Sequence, residues 1–323
     1  MTLSNRVSAA AAATAMVLIV SGALAAPPQT TGSFVINKGT IGGRERSYVL
    51  YEPRDVKPGA PLVFVFHGGG GDGPMAREGT GHEFDMLADR YGFMVIYPDG
   101  LSRSWTGCRK SQNRTGDRRT IDDVAFVDAM IEQEAARHQI DRKHIFALGH
   151  SMGGGLTYRL ALERPDKFAA VAVISSNLPE ADNQDCMSRS VPIPVMVING
   201  TADPVSDYEG KTSARGRFRG RMMSTDETVQ YFAGLNGLPG QPQITRLPHV
   251  DPSDKTWVER LSWSAPGKPG VVLLTVHGGG HNVPQPYYRY PNIVGAQTKD
   301  LDAPAAIWEF FAKESGLPVQ QGQ

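Results

Sequence analysis

One serine stands where it could act as a nucleophile: Gly149-His150-Ser151-Met152-Gly153, followed by Gly154. A short apolar run, 144–148, precedes it and a helical pattern, 156–162, follows. G-x-S-x-G between a strand and a helix is the nucleophile elbow of a serine hydrolase. The strand must turn sharply into the helix and leave one hydroxyl free at the crest. Glycines on either side let the backbone pass close to itself. A helix that begins just after Ser151 also aims its first amides at any oxyanion formed beside it.

A serine hydroxyl needs a base, and in this architecture the acid and then the histidine follow the nucleophile along the chain. His249, His277 and His281 qualify by order. His281 is preferred, because the three glycines before it let its loop bend back over the sheet edge. His277 ends an apolar run and is the alternative; His249 falls in an expected strand or its edge. Asp203 is the expected acid, just after the run 193–198, with Pro204 fixing the backbone beyond it. Asp207 is the runner-up. Oxyanion donors are expected at the Met152 amide and, near Gly69, in the loop His67-Gly68-Gly69-Gly70-Gly71. His67, Trp105 and Tyr208 are candidate substrate contacts. Trp105 and Tyr208, with Tyr287, Tyr288 and Tyr290, either line an aromatic cleft or are ordinary half-buried aromatics.

These residues need elements to hold them. Strands are expected at 33–37, 47–51, 62–66, 93–97, 144–148, 168–175, 193–198, 257–263 and 271–276. The runs 62–66 and 93–97 are continuously apolar, as strands buried on both faces are. Helices are expected at 82–90, 122–138, 156–162, 225–232 and 304–312. Long polar loops are expected at 99–119 and 210–222. Alternating strands and helices from residue 62 onward imply an α/β fold: a mostly parallel sheet with helices on both faces. Ligands of such sheets bind at the carboxyl ends of the strands. The glycine loops, Ser151, Asp203 and His281 all fall at such ends.

The chain has 323 residues, 40% hydrophobic and 20% charged, enough for a large core. Lys+Arg and Asp+Glu are both 33, so nothing points to nucleic acid. Residues 1–26 carry Arg6 as their sole charge, then an apolar stretch ending in Ala23-Leu24-Ala25, and read as a secretory signal peptide. The alternative is an uncleaved anchor. A secreted or periplasmic protein without a membrane span follows. Residues 27–33 are expected as a flexible lead-in, 34–316 as the catalytic domain and 317–323 as a flexible tail. Cys108 and Cys186 are the only cysteines, and an oxidising compartment favours joining them. Two unlinked thiols are the alternative. No H-E-x-x-H or C-x-x-C occurs, so no metal site is expected. The serine chemistry requires no cofactor.

With these residues in view, the chain resembles the polyhydroxybutyrate depolymerase-like esterases, which are close to the secreted feruloyl and acetylxylan esterases. The resemblance rests on His67–Gly71, Tyr97-Pro98-Asp99-Gly100, Ser104-Trp105-Thr106-Gly107-Cys108, Asp122-Asp123-Val124-Ala125-Phe126, the elbow, Asn199-Gly200-Thr201-Ala202-Asp203-Pro204 and Gly278-Gly279-Gly280-His281. It covers residues 34–314. It implies the α/β-hydrolase fold without a large lid, the triad Ser151, Asp203 and His281, and an ester substrate, either a polyester or a feruloylated or acetylated polysaccharide. An acetylxylan-type esterase is an alternative. A serine peptidase, or a non-catalytic polymer- or wall-binding protein on the same scaffold, are others. Two features depart from the family: Asn282-Val283-Pro284 after the histidine, where an aromatic is common, and the basic loop with Lys211, Arg215, Arg217, Arg219 and Arg221.

Overall fold

The computed structural model describes residues 29–113, 120–210 and 220–318. The expected signal peptide, residues 1–26, and Lys211, Arg215, Arg217 and Arg219 of the basic loop lie outside them. Ten strands form one sheet: β1 (Ser33–Ile41), β2 (Arg44–Glu52), β3 (Leu62–Phe66), β4 (Met94–Pro98), β5 (Ile145–His150), β6 (Ala170–Ile174), β7 (Val195–Gly200), β8 (Gln243–Arg246), β9 (Trp257–Trp263) and β10 (Val271–His277). Their spatial order is β1-β2-β4-β3-β5-β6-β7-β10-β9-β8. The run from β4 to β10 is parallel; β1, β2, β8 and β9 pair antiparallel at the two edges.

Helices α1 (Gly73–Gly79), α2 (Glu83–Tyr91), α3 (Lys110–Asn113), α4 (Asp123–His138), α5 (Met152–Glu163), α6 (Thr225–Leu235) and α7 (Ala303–Ser315) surround it. Alternation along each buried strand divides the core in two. Leu62, Phe64 and Phe66 of β3 point into one cluster with Phe126 of α4, Leu160 of α5 and Phe232 of α6. Val63 and Val65 point into the other, with Phe84 of α2 and Ile307 and Phe311 of α7. The expected α/β architecture is therefore present.

Several elements differ from expectation. β1 runs on to Ile41, so the turn to β2 is only Gly42-Gly43, both with positive φ (59° and 74°), as a tight hairpin requires. α1 was not foreseen, although Asp72 caps it by accepting from the Met75 amide (3.0 Å) and Pro74 sits in its first turn. β8 was missed because all four of its residues are exposed and show no apolar alternation. The lead-in is not free at its described end: Thr31 N donates to Asp89 (2.6 Å) and Gly32 N to the Tyr51 hydroxyl (2.8 Å). At the other end, Leu317 N donates to Ala312 O (2.9 Å), closing α7.

Candidate active site

Ser151 joins β5 to α5 with φ 55° and ψ −112°, a strained conformation for a residue with a side chain. It persists because its neighbours are packed too closely to relax. A Cβ on Gly149 would lie 2.2 Å from the Gly153 carbonyl group, and one on Gly153 would lie 2.4 Å from Phe66 O. Ser151 N is further tied to Ile174 O of β6 (2.8 Å).

The acid and base loops are laced together by backbone. Thr201 N donates to Val276 O (3.0 Å) and Ala202 N to Gly279 O (2.9 Å). Gly200 fits only as glycine, since a Cβ would meet Gly279 O at 2.3 Å. His281 N is held by Val294 O (2.6 Å). The result is a continuous relay. His281 Nε2 lies 2.8 Å from Ser151 Oγ, and His281 Nδ1 lies 2.7 Å from Asp203 Oδ2. The other Asp203 oxygen accepts from Val205 N and Ser206 N, both at 2.7 Å. That carboxylate is 1% exposed, so its charge is balanced by amides and the imidazole rather than by water.

The runners-up have other partners. His277 stacks on Trp257 (ring centroids 3.6 Å apart) and faces Glu259. His249 lies beyond β8 in an irregular segment, not in a strand, and pairs with Asp300 (2.7 Å). Asp207 accepts from the Glu209 amide (2.9 Å) within its own turn.

The glycine loop is held from behind. His67 Nε2 accepts from Gly100 N (2.9 Å), so its proton is on Nδ1, which donates to Gly68 O (2.6 Å). Burial lowers the His67 pKa and keeps it neutral. Trp105 is 1% exposed and donates from Nε1 to His67 O (2.9 Å). Gly70 N donates to Arg103 O (2.8 Å). Gly69 faces Met152, whose Sδ would lie 2.3 Å from a Cβ built there. The two expected oxyanion donors are thus on facing segments. The first amides of α5, that of Met152 included, have no acceptor inside the helix.

A cavity of about 340 Å³ opens beside Ser151 and His281. Val65, Leu148, Ile174 and Val283 give it an apolar lining, and Tyr288 and Tyr290 also border it. Of the expected substrate contacts, His67 reaches this lining, whereas Trp105 and Tyr208 do not. Trp105 packs on Phe66 as core, and the Tyr208 hydroxyl is engaged by Thr275 (2.8 Å). Tyr287 also lies outside the lining. Sequence reading missed His150, which contributes to the wall, and the α1 residues Met75, Ala76 and Gly79. The cap Asp72 with Pro74 was the available signal for α1. His150 had no signal, being the variable residue of the elbow pattern.

Cys108 and Cys186 form a disulfide, with Cα atoms 4.9 Å apart, that ties the loop after β4 to the loop after β6. Beside it, Asp185 N donates to Cys108 O (2.8 Å).

Residues 46–220 match the family model described as esterase PHB depolymerase. The chain belongs to that family. The resemblance drawn from the motifs is borne out. Feruloyl esterase C of Emericella nidulans is 33% identical over 276 residues, 84% of each chain. Feruloyl esterase D of Neurospora crassa is 27% identical over 284 residues, covering 84% of this chain and 83% of the relative. Among solved structures, an acetyl xylan esterase from Aspergillus awamori superposes with a TM-score of 0.57 at 16% identity, covering 86% of this chain and 99% of that one. That last likeness shows the α/β-hydrolase fold of this family member.

Proposed function

We propose that this chain is an exported serine carboxylesterase that works through an acyl-enzyme. The observation that carries the reading is the relay Ser151–His281–Asp203, which opens onto an apolar-lined cavity at the carboxyl ends of parallel strands. In the first step Ser151 Oγ attacks the ester carbonyl while His281 Nε2 takes its proton. Asp203 holds Nδ1–H and stabilises the imidazolium. The Met152 and Gly69 amides receive the oxyanion. His281 then passes the proton to the leaving alcohol. Water, deprotonated by the same nitrogen, releases the acid.

Feruloylated or acetylated polysaccharide and hydroxyalkanoate polyester are the substrate classes that the relatives' names and the family description suggest. Export rests on the character of residues 1–26 and agrees with the disulfide. No helix among the described residues is long and apolar enough to cross a membrane.

The test is hydrolysis of short p-nitrophenyl esters by the mature chain and by Ser151→Ala. Loss of about 10⁴-fold or more in kcat/KM is expected. Activity that survives the substitution, or is absent from the wild type, sinks the reading.

A further inference from the structure

Two amides of the glycine loop are already spent, Gly70 N on Arg103 O (2.8 Å) and Gly71 N on Gly68 O (3.1 Å). Gly69 N has no acceptor among the described residues, and Gly69 faces Met152. The direction of that N–H is set next door, because it shares a peptide plane with Gly68 O. A trans peptide points its carbonyl and its N–H in opposite directions, so fixing the one aims the other. Gly68 O is fixed from two sides, by Gly71 N and by the proton on His67 Nδ1 (2.6 Å). The proton belongs on Nδ1 because Nε2 accepts from the Gly100 amide.

What holds His67 in turn is Trp105. Its indole N–H donates to His67 O (2.9 Å), the carbonyl of the preceding peptide. Its ring lies against the His67 imidazole, with centroids 4.7 Å apart, and edge-on to Phe66 at 5.4 Å. The indole is 1% exposed and does not border the cavity. Trp105 is itself anchored: its carbonyl accepts from Gln112 Nε2 (3.0 Å), the Thr106 amide donates to Asp123 (2.7 Å), and Cys108 is bonded to Cys186. Two successive peptides, 67–68 and 68–69, are therefore held from outside the loop. The indole N–H holds the first, and the imidazole on which the indole packs holds the second.

We propose that Trp105 is a positioning residue for the oxyanion: through His67 it aims the Gly69 N–H at the carbonyl oxygen under attack. This rests on the esterase reading above and deepens it. Trp105 takes no part in the relay, so its contribution is confined to the step in which negative charge collects on that oxygen. Ground-state binding, which the cavity walls provide, does not depend on it.

The test makes two replacements at position 105. Trp105→Phe keeps a ring against His67 and removes the N–H; benzothienylalanine keeps the bicyclic shape with sulfur in place of the N–H. Rates on p-nitrophenyl butyrate are divided by the concentration of active sites, titrated to completion with a phosphonate ester, so that unfolded molecules do not count. In both variants kcat per active site is expected to fall about tenfold to thirtyfold. Outright loss of an oxyanion donor costs about 100- to 1000-fold, and here the Gly69 N–H is still present. KM should stay within about twofold. Inhibition by a boronic acid, whose tetrahedral adduct on Ser151 places an oxygen among the same donors, should weaken by the same factor as kcat/KM. A change that only loosened the fold would lower Tm and the number of active sites and leave these three values alone. Wild-type kcat per active site in the benzothienylalanine variant overturns the assignment, and that variant carries the test if Trp105→Phe fails to fold. A rise in KM at unchanged kcat, the mark of a wall that touches substrate, also overturns it. Either result leaves the esterase reading standing, whereas absence of hydrolysis by the wild type overturns both readings.

Discussion

Two histidine–aspartate pairs in this molecule are nearly the same in isolation. In each, Nδ1 lies 2.7 Å from a carboxylate, between His281 and Asp203 in one and His249 and Asp300 in the other. Both carboxylates are buried, and each accepts backbone amides on its second oxygen: Val205 and Ser206 for Asp203, Val250 for Asp300. The difference lies on the other side of the ring. His281 Nε2 meets a serine held in a strained elbow beside a cavity, whereas the His249 ring is 30% exposed and none of the hydrogen bonds described for it leads to a hydroxyl. A polarised imidazole is thus a local motif that a fold can use simply to pin two loops. It becomes chemistry only where sheet topology brings a nucleophile and an oxyanion site to it.

Exchanging each acid for its amide would break the comparison if it is wrong. Asp203→Asn should lower kcat by about 10⁴-fold, because an amide N–H opposite Nδ1 moves the imidazole proton to Nε2, where it cannot receive the serine's. Stopped-flow or p-nitrophenol release measures it, with circular dichroism to check the fold. Asp300→Asn should leave kcat/KM within about twofold and lower Tm by about 2–4 °C, the scale of about 1 kcal/mol in a domain of this size. If both variants lose activity alike, the distinction between the pairs fails.

A third buried acid sharpens the contrast, because it has no histidine. Glu83 at the start of α2 is pushed up to about 10 by burial, then by the charge of Asp302 and a hydrogen bond to it. One of its oxygens, Oε2, has no partner. The folded state holds a proton that the unfolded chain releases above its ordinary value of 4.5. The favourable contribution is full below that pH and is lost as pH rises from there toward 10. Glu83→Gln should therefore raise Tm at pH 8 by about 2–4 °C, with the gain vanishing near pH 4 in a thermal melt. No gain at pH 8 would show that the carboxyl is already relieved.

Much of the site was legible in sequence because its chemistry sits at strand ends, where order along the chain and glycine spacing constrain position. Ser151, Asp203, His281 and the facing Gly69 and Met152 fall together as that order requires. The parts that could not be read depend on packing between distant segments. Trp105, in a polar stretch, looked available to substrate; it is instead drawn under the glycine loop, where Asp123 anchors Thr106 through both its amide (2.7 Å) and its hydroxyl (2.9 Å). Asp99 likewise braces the Gly73 amide (2.8 Å) and Ser47 (2.6 Å), and Asn199 braces Asn177 (2.8 Å) and Thr225 (2.9 Å). So several motif residues outside the relay are supports rather than reagents, a distinction that composition and spacing do not encode. The short, fully exposed β8 carried no periodic signal at all.

The Cys108–Cys186 bridge, whose ends are 78 positions apart in the sequence, closes a ring of chain. Ser151 and its elbow lie inside the ring, whereas Asp203 and His281 lie outside it. A protease that cuts once between Ser151 and Cys186 puts nucleophile and base on different polypeptides, yet the bridge keeps the two pieces one molecule until a thiol arrives. The bond is therefore also insurance against being nicked in that stretch.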